Sequence, residues 1–204
     1  MPIVLPENSD LGRFVTIRNL ARQSDFLHTS QIVSQQQDGF VLTHEFIKDL
    51  NVLATHFLSK HPGQYRSEIQ LNVVISDTPH VPPPWERVWQ LMDQFTEHLQ
   101  EAFATADPLE LAAFVLWRMN WIHPFVQGNG RTARAYSYFL LCHKLQMWLP
   151  GDPIIPEQLR ARRGEYVAML RLADEGAANG GPPDLRGLVT MLNQMLQIQI
   201  ASAQ

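Results

Sequence analysis

Between Asp10 and Leu58 apolar residues recur three and four apart rather than alternately, and the run Phe46, Ile47, Leu50, Leu53, Ala54, Phe57 and Leu58 predicts a helix. Thr43, just ahead of that run, is placed to cap the free N–H groups of its first turn, and Asp38-Gly39 reads as a turn before it. The period changes after Pro62-Gly63: Ile69, Leu71, Val73 and Ile75 alternate imperfectly with Gln70, Asn72 and Val74, the pattern of a short strand or hairpin. Val81-Pro82-Pro83-Pro84-Trp85 cannot be helical, because successive prolines fix φ and remove donors, so an extended connector is expected. Helical spacing then returns through Val88, Leu91, Met92, Phe95 and Leu99, from Leu109 to Trp117, and from Tyr138 to Leu145. A proline-rich loop at 150–156, one helix from Glu157 to Ala173, a flexible stretch at 176–183 and a final helix from Leu185 to Ile200 complete the chain. The pattern predicts one mainly helical domain carrying one short β element.

Composition narrows the function classes. A length of 204 residues suits a single domain, and 45% hydrophobic with 18% charged residues excludes a disordered chain. The 16 Lys+Arg against 20 Asp+Glu give a net charge of −4, so no global basic field exists to hold nucleic acid. Cys142, the one cysteine, sits in an apolar helical run and reads as a buried, inert thiol. With no disulfide, no signal-like N-terminus and no membrane-length apolar run, a cytoplasmic protein without membrane contact is expected.

The chemistry is concentrated in His123-Pro124-Phe125-Val126-Gln127-Gly128-Asn129-Gly130-Arg131-Thr132-Ala133-Arg134, a loop feeding a helix. Gly128 and Gly130 permit positive φ and expose successive N–H groups, and a helix N-terminus adds partial positive charge, which together make an anion cradle. Arg131 and Arg134 share one face of the first turns and offer planar donors to phosphoryl oxygens. His123 is the side chain suited to take a proton near neutral pH. Singly, Gly-Asn-Gly is a turn, the arginines an ion-paired face and the histidine a loop residue; in this order within a dozen residues, the combination points to phosphate chemistry. Phe125, with Trp117 and Trp121 before it, reads as core packing that supports the loop.

This order resembles the signature of the Fic (Fido-fold) family, His-x-Phe-x-Asp/Glu-Gly-Asn-Gly-Arg-x-x-Arg, at His123, Phe125, Gly128, Asn129, Gly130, Arg131 and Arg134. The likeness extends to 63–76 as the family's flap, to the proline connector and the helix after it, and to Tyr166, Leu170 and Asp174 on a later helix. It implies an all-α domain with a short β-hairpin flap over the active site: an N-terminal helical segment at 1–39 and the Fic-like domain at 40–204. It also implies AMP transfer from ATP, with Mg²⁺ or Mn²⁺, to a Ser, Thr or Tyr hydroxyl of a target protein. His123 would be the base, Gly128, Asn129 and Gly130 would hold phosphates, Arg131 would support the phosphate chain, and Arg134 would reach the terminal phosphate. Ile69, Gln70, Leu71, Asn72 and Val73 would dock the target edge-on.

Two departures keep alternatives open. Gln127 stands where the family carries its metal-binding acid, and a neutral amide lacks the charge that favours Mg²⁺. A non-catalytic nucleotide- or protein-binding module, or a phosphotransferase using another phosphate-containing donor, therefore stands beside adenylyl transfer. The family's inhibitory pattern Ser/Thr-x-x-x-Glu-Gly/Asn fits 29–39 without a glutamate: one register puts Val33 in its place, the other Asp38, which makes Asp38 the inhibitory candidate. Target, nucleotide preference and a homodimer are left open.

Overall fold

The computed structural model describes residues 3–36, 42–68, 73, 75, 79–178 and 181–203. Among them run eight α-helices: α1 (Asp10–Gln36), α2 (His44–Thr55), α3 (Val88–Ala102), α4 (Pro108–Ile122), α5 (Asn129–Lys144), α6 (Ile155–Ala161), α7 (Arg163–Ala178) and α8 (Arg186–Ala201). The expected cap at Thr43 is present, and Asp107 supplies a second that was not anticipated. Thr43 accepts from the Phe46 N–H at 3.2 Å to start α2, and Asp107 accepts from the Leu109 and Glu110 N–H groups at 2.8 and 3.2 Å, with Pro108 opening α4. The proline connector is extended and ends in a single 3₁₀ turn, Trp85–Arg87.

The short loop 123–128 forces α4 and α5 into an antiparallel pair, the most extensively packed helices of the fold. On one side, Ile47 and Leu50 of α2 and Met92, Phe95 and Leu99 of α3 pack against Met119, Tyr136 and Phe139. On the other, Leu159, Tyr166, Leu188, Leu192 and Met195 of α6 to α8 pack against Leu116, Tyr138 and Leu141. α5 is thereby buried nearly all round, so its first turn is held rigidly by two cores. Cys142 lies in the second core, where burial pushes its thiol up to about 11.

The structure corrects two expectations. The helix expected to run to Leu58 stops at Thr55, and Phe57 takes a left-handed φ of 61°. The single helix expected over 157–173 is two, divided at Arg162 (φ −98°, ψ 37°), where Gly164 also weakens helical continuation. Of the expected hairpin flap, Ile69, Gln70, Leu71 and Asn72 lie outside the described residues, and Val73 belongs to no regular element. The one β contact among the described residues is an antiparallel bridge between Tyr65 and Phe125.

α1 reverses the usual pattern of a surface helix. Its inward face is polar, with Asn19, Gln23, Gln31 and Ser34 buried, whereas Leu11, Phe14 and Ile17 are exposed. Asn19 donates to the His56 carbonyl at 2.8 Å and Gln23 to the Leu50 carbonyl at 2.7 Å, while the Ser34 hydroxyl meets His143 Nδ1 at 3.1 Å. Side-chain hydrogen bonds, more than apolar burial, therefore fix α1 against α2 and α5. Gln23→Ala is expected to lower stability by about 1–3 kcal/mol, whereas Phe14→Ser should change it by less than about 0.5 kcal/mol. Urea unfolding followed by circular dichroism separates the two.

Candidate functional site

The loop from α4 to α5 has left-handed backbone at both ends: His123 at φ 52°, ψ 56° and Gly128 at φ 80°, ψ 5°. Glycine is required at the second position, because a Cβ there would also come within 2.4 Å of Thr55 Cγ2. Between them, Asn129 uses its whole amide inside the loop, accepting from the Phe125 N–H at 2.9 Å and donating to the Phe125 carbonyl at 2.7 Å. Asn51 of α2 braces the outside, donating to the Gln127 carbonyl at 3.0 Å and the Thr132 hydroxyl at 3.2 Å and accepting from the Gly63 N–H at 2.9 Å. The N–H groups of the first turn of α5 keep no intrahelical partner and form the anion-attracting end of the helix.

A cavity of about 190 Å³ opens beside this loop, and His123, Gly130 and Arg134 line it together with Trp117, Trp121 and Tyr166. Asp174 stands on its wall and accepts from the Trp117 indole N–H at 2.9 Å, while Asn120 donates to the Tyr166 hydroxyl at 2.9 Å. Arg131 faces a second cavity, about 510 Å³ between α1, α5 and α6, and Arg134 lines both. The structure thus brings His123, Gly130 and Arg134 together, with Arg131 next to them. Gly128 and the Asn129 side chain shape the loop instead of lining either cavity.

Cations crowd this end of α5. Burial lowers the Arg134 pKa, Tyr166 opposes that shift, and Arg131, Arg160 and Arg163 add to it. Among the described residues Arg134 has no acidic partner, and Arg131 Nη1 is buried without a hydrogen bond. An anion between them would relieve both. Burial also holds the His123 imidazole down, to about 4, with the Asn120 carbonyl opposing the shift and Arg66 and His80 adding to it. His123 is therefore neutral at pH 7, with Nδ1 buried and lacking a hydrogen bond of good geometry, which leaves Nε2 to serve as acceptor.

The sequence reading missed Glu7. Its carboxylate pairs with Arg131 and accepts from the Gln127 amide at 2.8 Å, so an acid from the N-terminal segment already engages a motif arginine. Asp38 lies outside the described residues. The helical part of its segment meets the far end of α5, through Ser34 and His143, about 13 Å of helix beyond Arg134. For a metal ion, position 127 offers one neutral oxygen, and the nearby carboxylate is engaged by Arg131; this donor set does not fit a resident Mg²⁺ or Mn²⁺ site. Arg66, Asn51 and Glu7 carried no local sequence signal except that Asn51 interrupts the apolar stripe of α2, a polar residue where the period asks for an apolar one.

A left-handed histidine, a helix N-terminus and converging arginines define an all-helical protein built around an anion cradle. Residues 41–141, about half of the chain, match the Fic/DOC family, so the chain carries a Fic/DOC domain there. It is 38% identical over 99 residues to a Drosophila erecta protein named protein adenylyltransferase Fic, a match spanning 48% of this chain and 18% of that relative. C. elegans Fic-1 shares the fold with a TM-score of 0.71 and 24% identity, over 97% of this chain and 52% of that one. A Fic-domain signaling protein of Bacteroides thetaiotaomicron gives a TM-score of 0.69 at 22% identity, over 96% of this chain and 72% of that one. No helix among the described residues is long and apolar enough to cross a membrane.

Two measurements test this electrostatics. Glu7→Gln removes the acid paired with Arg131 and is expected to raise affinity for a phosphate anion such as pyrophosphate about 2–10-fold by titration calorimetry. Because folded His123 titrates near 4 and an unfolded histidine near 6.5, the unfolded state binds more protons between those values. Stability should therefore fall on acidification through that window, with a slope approaching about 1.4 kcal/mol per pH unit from this residue. His123→Gln should flatten the slope in urea titrations run from pH 7 to 4.

Proposed function

We propose that this chain transfers AMP from ATP to a Ser, Thr or Tyr hydroxyl of a target protein. The observation that carries the reading is that His123, Gly130 and Arg134, drawn from the two ends of the motif, line one cavity. The α-phosphate sits at the N-terminus of α5, Arg131, released from Glu7, supports the phosphate chain, and Arg134 reaches the terminal phosphate. The target hydroxyl oxygen forms the bond to the α-phosphorus as His123 takes its proton. The bond to pyrophosphate breaks, and pyrophosphate leaves with the electron pair. The arginines neutralise its developing charge, so positioning and fixed positive charge supply most of the catalysis. Any magnesium in the reaction arrives on the nucleotide's phosphates as part of the substrate. An extended target segment pairs with 69–73. Relatives named protein adenylyltransferase support the reading over the half of the chain they match.

The test incubates the purified protein with ATP, and in parallel GTP, CTP and UTP, and weighs it intact by mass spectrometry. A gain of one AMP that disappears in His123→Ala is the expected result. A gain only in Gln127→Asp would mean a competent scaffold whose natural form transfers no nucleotide. No gain in any form, with no heat of ATP binding by calorimetry, would overturn the reading in favour of a protein-binding module.

A further inference from the structure

Arg66 is the most deeply buried cation near the reaction centre, 1% exposed, and the chemistry above leaves it unused. Its Nε donates to the His123 carbonyl at 2.8 Å, and its Nη2 donates to the carbonyls of Pro83 at 2.8 Å and Ile122 at 3.2 Å. Its own backbone N–H donates to the Pro124 carbonyl at 2.8 Å, next to the bridge between Tyr65 and Phe125. One guanidinium thus binds the last carbonyls of α4, which carry the negative end of that helix dipole, and the proline connector at the same time.

His123 gives these contacts their consequence. It is a non-glycine residue in the left-handed region, a conformation that persists only where surrounding bonds impose it. Its N–H bonds to the Met119 carbonyl at 3.0 Å, and its carbonyl is held by Arg66. Loss of the Nε bond would free the His123 carbonyl and with it the left-handed φ and ψ on which the placing of the imidazole rests. A lysine has the charge but not the planar fork needed to span three carbonyls.

We propose that Arg66 is the positioning residue for His123. It fixes the left-handed backbone that aims the imidazole into the cavity, and it ties that aim to the proline connector through the Pro83 carbonyl. The link to catalysis rests on the reading of His123 as the proton acceptor, whereas the link to geometry does not.

The test uses Arg66→Lys and Arg66→Met, each compared with wild type in two ways. In the transfer assay both are expected to lose kcat by about 10–100-fold with KM for ATP changed by less than about 3-fold, because a misaimed base slows the chemical step and leaves nucleotide binding intact. In two-dimensional NMR of labelled protein, the His123 backbone amide should move in both variants, and the imidazole pKa should rise in Arg66→Met, where the neighbouring positive charge is gone. An unchanged kcat, or an unchanged His123 amide resonance and imidazole pKa in folded variants, would overturn the proposal. Should Arg66→Met fail to fold, Arg66→Lys carries the test through the amide resonance and kcat. If neither wild type nor Gln127→Asp transfers nucleotide, the reading of His123 as base falls, and the NMR readouts alone decide whether Arg66 positions it.

Discussion

The tight reversal between α4 and α5 is the constraint from which the site follows. Two long helices packed antiparallel must be joined across a few residues, and the loop meets that demand by placing left-handed backbone at His123 and Gly128. Glycine accepts that conformation freely, while a histidine does so at a cost of order 1–3 kcal/mol. Polar side chains impose it from three directions. Arg66 holds the α4 end, the Asn129 amide closes the middle on Phe125, and Asn51 holds the Gln127 carbonyl from α2. None of the three is an apolar contact, so the loop depends on hydrogen bonds whose loss would leave buried polar atoms unpaired. The cores on either side of α5 then keep the braces at fixed separation.

The same turn generates the electrostatics. Ending α4 and starting α5 within one loop puts carbonyl dipoles beside N–H dipoles, and the chain matches each with a charge of opposite sign or a space for one. Arg66 answers the carbonyl end. The N–H end receives no side-chain cap, and it is surrounded by Arg131, Arg134, Arg160 and Arg163, whose mutual repulsion Glu7 relieves at Arg131 and a further anion would relieve beside Arg134. A region that carries excess positive charge in a protein of net charge −4 is the local opposite of the whole chain. Global charge therefore spoke against nucleic acid while saying nothing about a phosphate held at one point.

Local periodicity made most helices legible, and it did so most directly where a helix has one apolar face, as in α2 and α3. The motif was legible because its glycines, arginines and histidine follow one another in the chain, so sequence order and spatial order coincide. Legibility failed where partners are distant. Arg66 and Ile122 are 56 residues apart, and Glu7 and Arg131 are 124 apart, and no pattern in the chain pairs them. It failed also for α1, since a helix that buries amides and exposes Phe14 and Ile17 inverts the rule by which faces are assigned. The break at Arg162 and the end of α2 at Thr55 are failures of another kind: helix-forming residues continue past both, and packing against α8 and the N-terminal segment decides the boundary. The Leu5 N–H bonds the Phe57 carbonyl at 2.8 Å just beyond α2, and Gln158 donates to the Met195 carbonyl at 2.9 Å just before the break.

Gln127 takes on a different meaning beside Glu7. Read alone, it is a position that has lost an acid. In the structure its amide N–H donates to Glu7, which also pairs with Arg131, so one carboxylate bridges the amide and the guanidinium at the mouth of the loop. An aspartate at 127 would set two carboxylates against one arginine and remove the donor that Glu7 now uses, weakening the hold of the N-terminal segment by like-charge repulsion. The amide does the reverse: it costs the loop a charged oxygen for a metal ion and gives Glu7 a second partner. The two residues are thus coupled, and the absence of an acid at 127 is as much a statement about where the chain's own carboxylate rests as about what the site can bind.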